Sequence, residues 1–153
     1  MSSQRFEWIC APLQPERLQS VLESLPMILQ DLLGDCLVTA MYGWGCNLHS
    51  DLCYVPMRVR TRWVDRFIKD SLEQRIFVPA ESDLSFELPD ERMRLLFCHE
   101  GDIHISGSDD ELREKLLASV PFRELSFTRY RKGPKQSAQS DRREDAAPAG
   151  PKG

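Results

Sequence analysis

Residues 82–120, SDLSFELPDERMRLLFCHEGDIHISGSDDELREKLLASV, decide the fold. Leu84, Phe86 and Leu88 alternate with Asp83, Ser85 and Glu87, the period-two pattern of a strand with one buried face. Pro89-Asp90-Glu91 turns the chain, Met93 to Phe97 is a short apolar run, and Ile103 and Ile105 alternate with Asp102, His104 and Ser106. Gly101 suits a tight turn between the last two, because it adopts positive φ without steric cost. The stretch therefore reads as an antiparallel meander over residues 83–106. A two-residue turn at Glu100-Gly101 would set His99 opposite Asp102. The helix that follows is marked at both ends. Ser108 stands three residues before Glu111, the spacing of a capping box, and Asp109 and Asp110 place negative charge where the helix dipole is positive. Leu112, Leu116, Leu117 and Val120 form its apolar stripe, and Pro121 ends it.

Upstream, Phe6 to Cys10 reads as a strand. Pro15 suits a first helical turn, and Leu18, Val21, Leu22 and Leu25 fall at i, i+3, i+4 and i+7. Pro26 is expected to interrupt this helix, with Met27 to Leu33 continuing as a second short one before Gly34. Cys36 to Tyr42 is almost wholly apolar and reads as a strand covered on both faces. Ser50-Asp51-Leu52 echoes Ser82-Asp83-Leu84, so a strand is expected near 51–55. Val64, Phe67, Ile68, Ser71 and Leu72 mark one face of a helix near 58–75. Trp63, at helical spacing from Phe67, is assigned to the core, while Arg58, Arg60, Arg62 and Arg66 form a solvated face. Leu125 and Phe127 alternate in a last strand near 123–129. These elements make an α+β domain over residues 1–130, a mainly antiparallel sheet packed against about three helices. Residues 131–153 contain no aromatic residue and no Leu, Ile, Val or Met, so they read as a disordered tail unable to offset its ordering entropy.

Hydrophobic residues are 41% and charged residues 29% of the chain, the balance of an ordinary water-exposed globular protein. The charge is unevenly placed. From Arg131 onward six Lys or Arg oppose three Asp or Glu, a surplus of +3, which leaves −7 on residues 1–130 of the chain's total of −4. Such a body argues against nucleic acid, whose affinity rests on Lys and Arg at phosphates, and favours a partner with a basic surface. No apolar run approaches the roughly 18 residues that span a bilayer, and no signal-peptide pattern opens the chain. Five scattered cysteines then suggest a cytoplasmic protein with reduced thiols.

Two chemistries compete with simple docking. Cys46, His49 and Cys53 lie within eight residues, and Cys98, His99 and His104 could join them around zinc, which accepts thiolate and imidazole together. No C-x2-C pair occurs, however, and cysteine is buried for packing reasons alone. A thiol or acid-base enzyme could use Cys98, His99, Glu100, Asp102 and His104, yet a nucleophile needs a base within hydrogen-bond reach, and neighbours along a strand point to opposite faces. No phosphate loop, nucleophile elbow or H-E-x-x-H helix is present. The reading that remains is a non-catalytic, cofactor-free protein-binding module. Trp44, Asp51, Tyr54, Asp83, Glu100, Asp102, Asp109 and Asp110 are its expected contact residues, aromatic anchors among acidic groups. Small acidic domains of this kind have the general character of inhibitor or immunity-type proteins that neutralise a basic partner.

Overall fold

The computed structural model describes residues 5–130; the expected tail at 131–153 lies outside them. Seven strands form one sheet: β1 (Phe6–Cys10), β2 (Leu37–Tyr42), β3 (Met57–Arg60), β4 (Leu84–Glu87), β5 (Met93–Phe97), β6 (Ile103–Gly107) and β7 (Phe127–Arg129). Their order is β3-β2-β4-β5-β6-β1-β7, and every neighbouring pair is antiparallel. Among the described residues three helices complete the α+β fold: α1 (Pro15–Leu33), α2 (Val64–Glu73) and α3 (Asp110–Ala118).

The alternation seen in the sequence decides which face is covered. Val38, Ala40 and Tyr42 of β2, Leu84 and Phe86 of β4, Leu95 and Phe97 of β5, and Ile103 and Ile105 of β6 are buried. They share one core with Leu18, Val21, Leu22, Leu25 and Leu29 of α1, Val64 and Ile68 of α2, and Leu112 and Leu116 of α3. The helices thus lie on one face. On the other, the register sets Met41, Ser85, Leu96, His104 and Ile9 side by side across five strands. Strand β2 is therefore covered fully on one face only, because nothing helical among the described residues packs on the second.

Several expectations need correction. Helix α1 runs unbroken through Pro26, which is itself buried. A proline inside a helix costs about 3 kcal/mol, while each large apolar side chain of the stripe from Leu18 to Leu29 gains about 1.5–3 kcal/mol on burial, so one continuous phase wins. Residues 58–60 are strand, not helix, since Met57 and Val59 alternate with Arg58 and Arg60 on the edge strand β3. No strand forms at 51–55. Ser50–Leu52 is a single 3-10 turn, so the Ser-Asp-Leu echo carries no shared structure. Strand β7 starts only at Phe127, because Phe122–Glu124 forms another 3-10 turn. Trp63 is 53% exposed. It sits in the turn before α2, one position off the buried Val64–Ile68–Ser71 stripe, with the Arg62 guanidinium over its ring at 5.8 Å. The cap of α3 is Asp109, which accepts from the Leu112 amide at 3.0 Å, and not Ser108. The Ser108 and Asp109 amides both donate to the Arg92 carbonyl, so the chain is pinned there and the helix begins one residue later.

Candidate functional site

At one end of the sheet the segments 11–14, 43–56, 79–83 and 98–102 hold Asp51, Glu81, Asp83, Glu100 and Asp102 but no Lys or Arg; the segment leading into β7, whose Phe127 pairs with Cys10, brings Arg123 and Glu124 to the same end. All three histidines of the chain lie at this end as well. The loop after α2 adds Arg75, whose carbonyl accepts the Asn47 side-chain amide.

Backbone hydrogen bonds build the frame. Gly43 donates to the Asp83 carbonyl at 3.0 Å and Asp83 to the Trp44 carbonyl at 2.8 Å, extending the β2–β4 ladder past Tyr42 and Leu84. The Tyr54 amide returns to the Tyr42 carbonyl at 2.7 Å, so residues 43–54 form a closed loop. Gly45 has φ +78°, and a Cβ there would lie 2.5 Å from the Glu81 carbonyl oxygen, so only glycine fits. Tyr54 is itself in the left-handed region at φ 65°. A non-glycine residue there costs free energy that the surrounding frame must outweigh. On this loop Trp44, Leu52, Tyr54 and Val55 are 57%, 52%, 59% and 40% exposed, half of all the exposed large apolar residues among those described.

Asp83 organises the neighbouring turn. Its Oδ1 accepts from the His99 backbone amide at 2.7 Å and from His99 Nδ1 at 2.8 Å. The Trp44 ring covers the imidazole at 4.3 Å between centroids. Residues 98–101 are a turn, closed by the Gly101 amide on the Cys98 carbonyl at 3.0 Å, so strand alternation ends at Phe97. For that reason His99 pairs with Asp83 and not with Asp102, and Cys98 Sγ comes within 3.7 Å of His99 Nδ1. The same nitrogen donates to Asp83, which leaves it no lone pair for the thiol. Burial, helped by Asp102 and Asp83, pushes the Cys98 thiol up to about 12. A thiol so held is neutral, the opposite of an activated nucleophile.

On the sheet face away from the helices, His104 Nε2 lies 3.1 Å from Asp102 Oδ2, and its Nδ1 lies 3.9 Å from Glu7 Oε1. Asp102 Oδ1 is buried with no hydrogen-bond partner among the described residues. Donor atoms of Cys98, Asp102 and His104 fall within 4.8 Å of one another, as do those of Asp83, Cys98 and His99. The first cysteine cluster behaves differently. Cys46 and Cys53, free thiols like the other three, face each other at 2.6 Å, but His49 turns toward Asp51. Among the described residues no set of three ligand donors includes Cys46, His49 or Cys53, so the six expected zinc ligands do not converge.

The expected contact residues also divide. Trp44, Asp51, Tyr54, Asp83, Glu100 and Asp102 belong to this end. Asp109 and Asp110 start α3, beyond the end of β6, at the opposite end of the sheet. Sequence reasoning did not single out Leu52 and Val55 as exposed, or Glu7 as a neighbour of His104; the second follows only from the β1–β6 register.

No helix of the described residues is long and apolar enough to cross a membrane. No protein-family model, curated protein or solved structure matches the chain.

Proposed function

We propose that this protein is a non-catalytic docking module, of inhibitor or immunity type, that seats a basic protein surface on the 43–55 loop. The observation that carries this reading is the grouping of Trp44, Leu52, Tyr54 and Val55, all well exposed, beside five carboxylates that have no Lys or Arg partner among the described residues. Exposed aromatic anchors supply most of the energy of an interface, and an unneutralised acidic rim attracts and orients a cationic one. The apolar groups sit on a loop fixed by backbone bonds and glycine, so little ordering entropy stands against binding. A neutral Cys98 and an Nδ1 already committed to Asp83 favour docking over a thiol enzyme.

The test uses the intact chain as bait and titrates any purified basic partner against it. Trp44→Ala with Tyr54→Ala, and separately Asp51→Lys with Glu100→Lys, should each weaken the complex at least tenfold, and the wild-type complex should loosen as salt rises. A partner that binds both double variants as tightly as the wild type would overturn the reading.

A further inference from the structure

We propose that Cys98, Asp102 and His104 form a binding site for one Zn2+ ion. Three observations converge on it. The three side chains offer one sulfur, one oxygen and one nitrogen within 4.8 Å of one another, a donor mixture that zinc accepts and that hard cations such as Ca2+ and Mg2+ do not. Buried carboxylate oxygens are nearly always hydrogen-bonded, yet Asp102 Oδ1 has no partner among the described residues, and a bound cation is one of the few things that account for such an atom. His104 presents Nε2 to the cluster while Nδ1 faces the Glu7 carboxylate at 3.9 Å, the outer carboxylate that commonly orients a metal-bound imidazole.

The second triad, Asp83 with Cys98 and His99, is the weaker host. Asp83 Oδ1 already accepts both the backbone amide and Nδ1 of His99, so placing a metal there would cost the bonds that hold the 98–101 turn. Asp102 has an oxygen to spare. On binding, the Cys98 thiol loses its proton to solvent as the S–Zn bond forms, and the ring proton of His104 moves from Nε2 to Nδ1, toward Glu7. A tetrahedral zinc held by these three donors would take water in the fourth position. Residues of β6 and of the turn before it would then be pinned by the ion.

The experiment is titration of the full chain, prepared without a metal-affinity tag, with Co2+ followed by displacement with Zn2+. A thiolate-to-cobalt charge-transfer absorption that saturates at one equivalent and is abolished by Zn2+ is the expected result for the wild type, a readout that needs no variant. Cys98→Ser should abolish that absorption, while Asp102→Asn and His104→Ala should each weaken Zn2+ binding at least tenfold and Glu7→Gln about tenfold. Circular dichroism confirms that each variant is folded. His99→Ala and the Cys46→Ser, Cys53→Ser double variant should bind as the wild type does, within about twofold. Absence of the charge-transfer band in the wild type overturns the site, as does a band that survives Cys98→Ser or is lost in the Cys46, Cys53 double variant. Loss on His99→Ala with retention in His104→Ala would also overturn it, by placing the ion in the other triad.

Discussion

The two ends of the sheet use acidic residues in opposite ways. Around the start of α3, the end of β3 and the start of β5, acids meet guanidinium groups: Asp35 with Arg60 at 3.7 Å, Asp109 with Arg92 at 3.9 Å and Asp110 with Arg113 at 2.8 Å. At the other end Asp51, Asp83, Glu100 and Asp102 meet only imidazoles, and Glu81 has no cation near it among the described residues. Charges neutralised within the chain make helix caps and little else, since such pairs at a surface contribute about 0–1 kcal/mol. Charges left with neutral or weakly basic neighbours keep an external field. Half of the large apolar side chains that remain in water among the described residues cluster on the one 43–55 loop at the same unneutralised end, so two independent features mark that region.

The comparison breaks first, and by the largest amount, if the aromatic loop proves inert. Trp44→Ala should lower affinity for the basic partner by about 30-fold or more, roughly 2 kcal/mol, measured by calorimetric titration. Trp44 also covers the His99 ring, and this contact contributes only about 0.5–1.5 kcal/mol to folding, so the variant stays folded and the lost affinity is interpretable. Next comes Asp83→Ala, which strips two donors on His99 of their acceptor. Half-buried groups bonded to a charge lose about 1.5–3 kcal/mol in that case, visible as a lower urea midpoint at unchanged slope. An unchanged midpoint would mean that the 98–101 turn is held without Asp83 and that this end is not built around it.

How much of this was legible in the chain follows from the range of each signal. The meander over 83–106 and the stripe of α1 are written in residues two to four apart, which is the scale at which periodicity works, and the structure has them there. Pro26 misled because its local cost is large, whereas the opposing gain comes from six side chains buried against a sheet that the local sequence does not show. Arg58 and Arg60 misled for the reverse reason: a four-residue edge strand carries too few positions to separate period two from period 3.6. At the site, Asp83, Glu100 and His99 could be named from type and spacing alone. Their pairing could not, since Asp83 reaches His99 only through the β4–β5 register, and Glu7 reaches His104 only because β1 inserts beside β6. Asp109 and Asp110 joined the expected contact set by charge, although their cations, Arg92 and Arg113, lie across a turn and along a helix face.

A third measurement sharpens the comparison through pH. The Cys98 thiol is raised from the ordinary 9.0 to about 12, so above pH 9 the unfolded chain gives up this proton while the folded chain keeps it. Stability from this group is complete below pH 9 and is lost as pH rises toward 12. Against Cys98→Ser, which shares every other titrating group, the metal-free wild type should lose about 1.4 kcal/mol of relative stability by pH 10, in denaturation with urea under reducing conditions with a chelator present. A constant difference between the two from pH 8 to 10 would show that the thiol is not buried in the 98–101 turn as the structure has it.

The smallest expected effect tests the other end. Asp109→Ala removes the side-chain cap on the Leu112 amide and the ion pair with Arg92, and should lower stability by about 1 kcal/mol, as caps do. Asp110→Ala removes an exposed carboxylate from Arg113, which the Phe6 and Trp8 rings still hold, and should cost less than about 1 kcal/mol. Neither should change affinity for the basic partner by more than about twofold, because the field of a neutralised pair is short in salt and the 43–55 loop lies across the length of the sheet. If charge reversal at Asp109 and Asp110 weakened the complex as much as reversal at Asp51 and Glu100, the partner would be reading the total charge of the body, and the distinction between the two ends would lose its functional meaning.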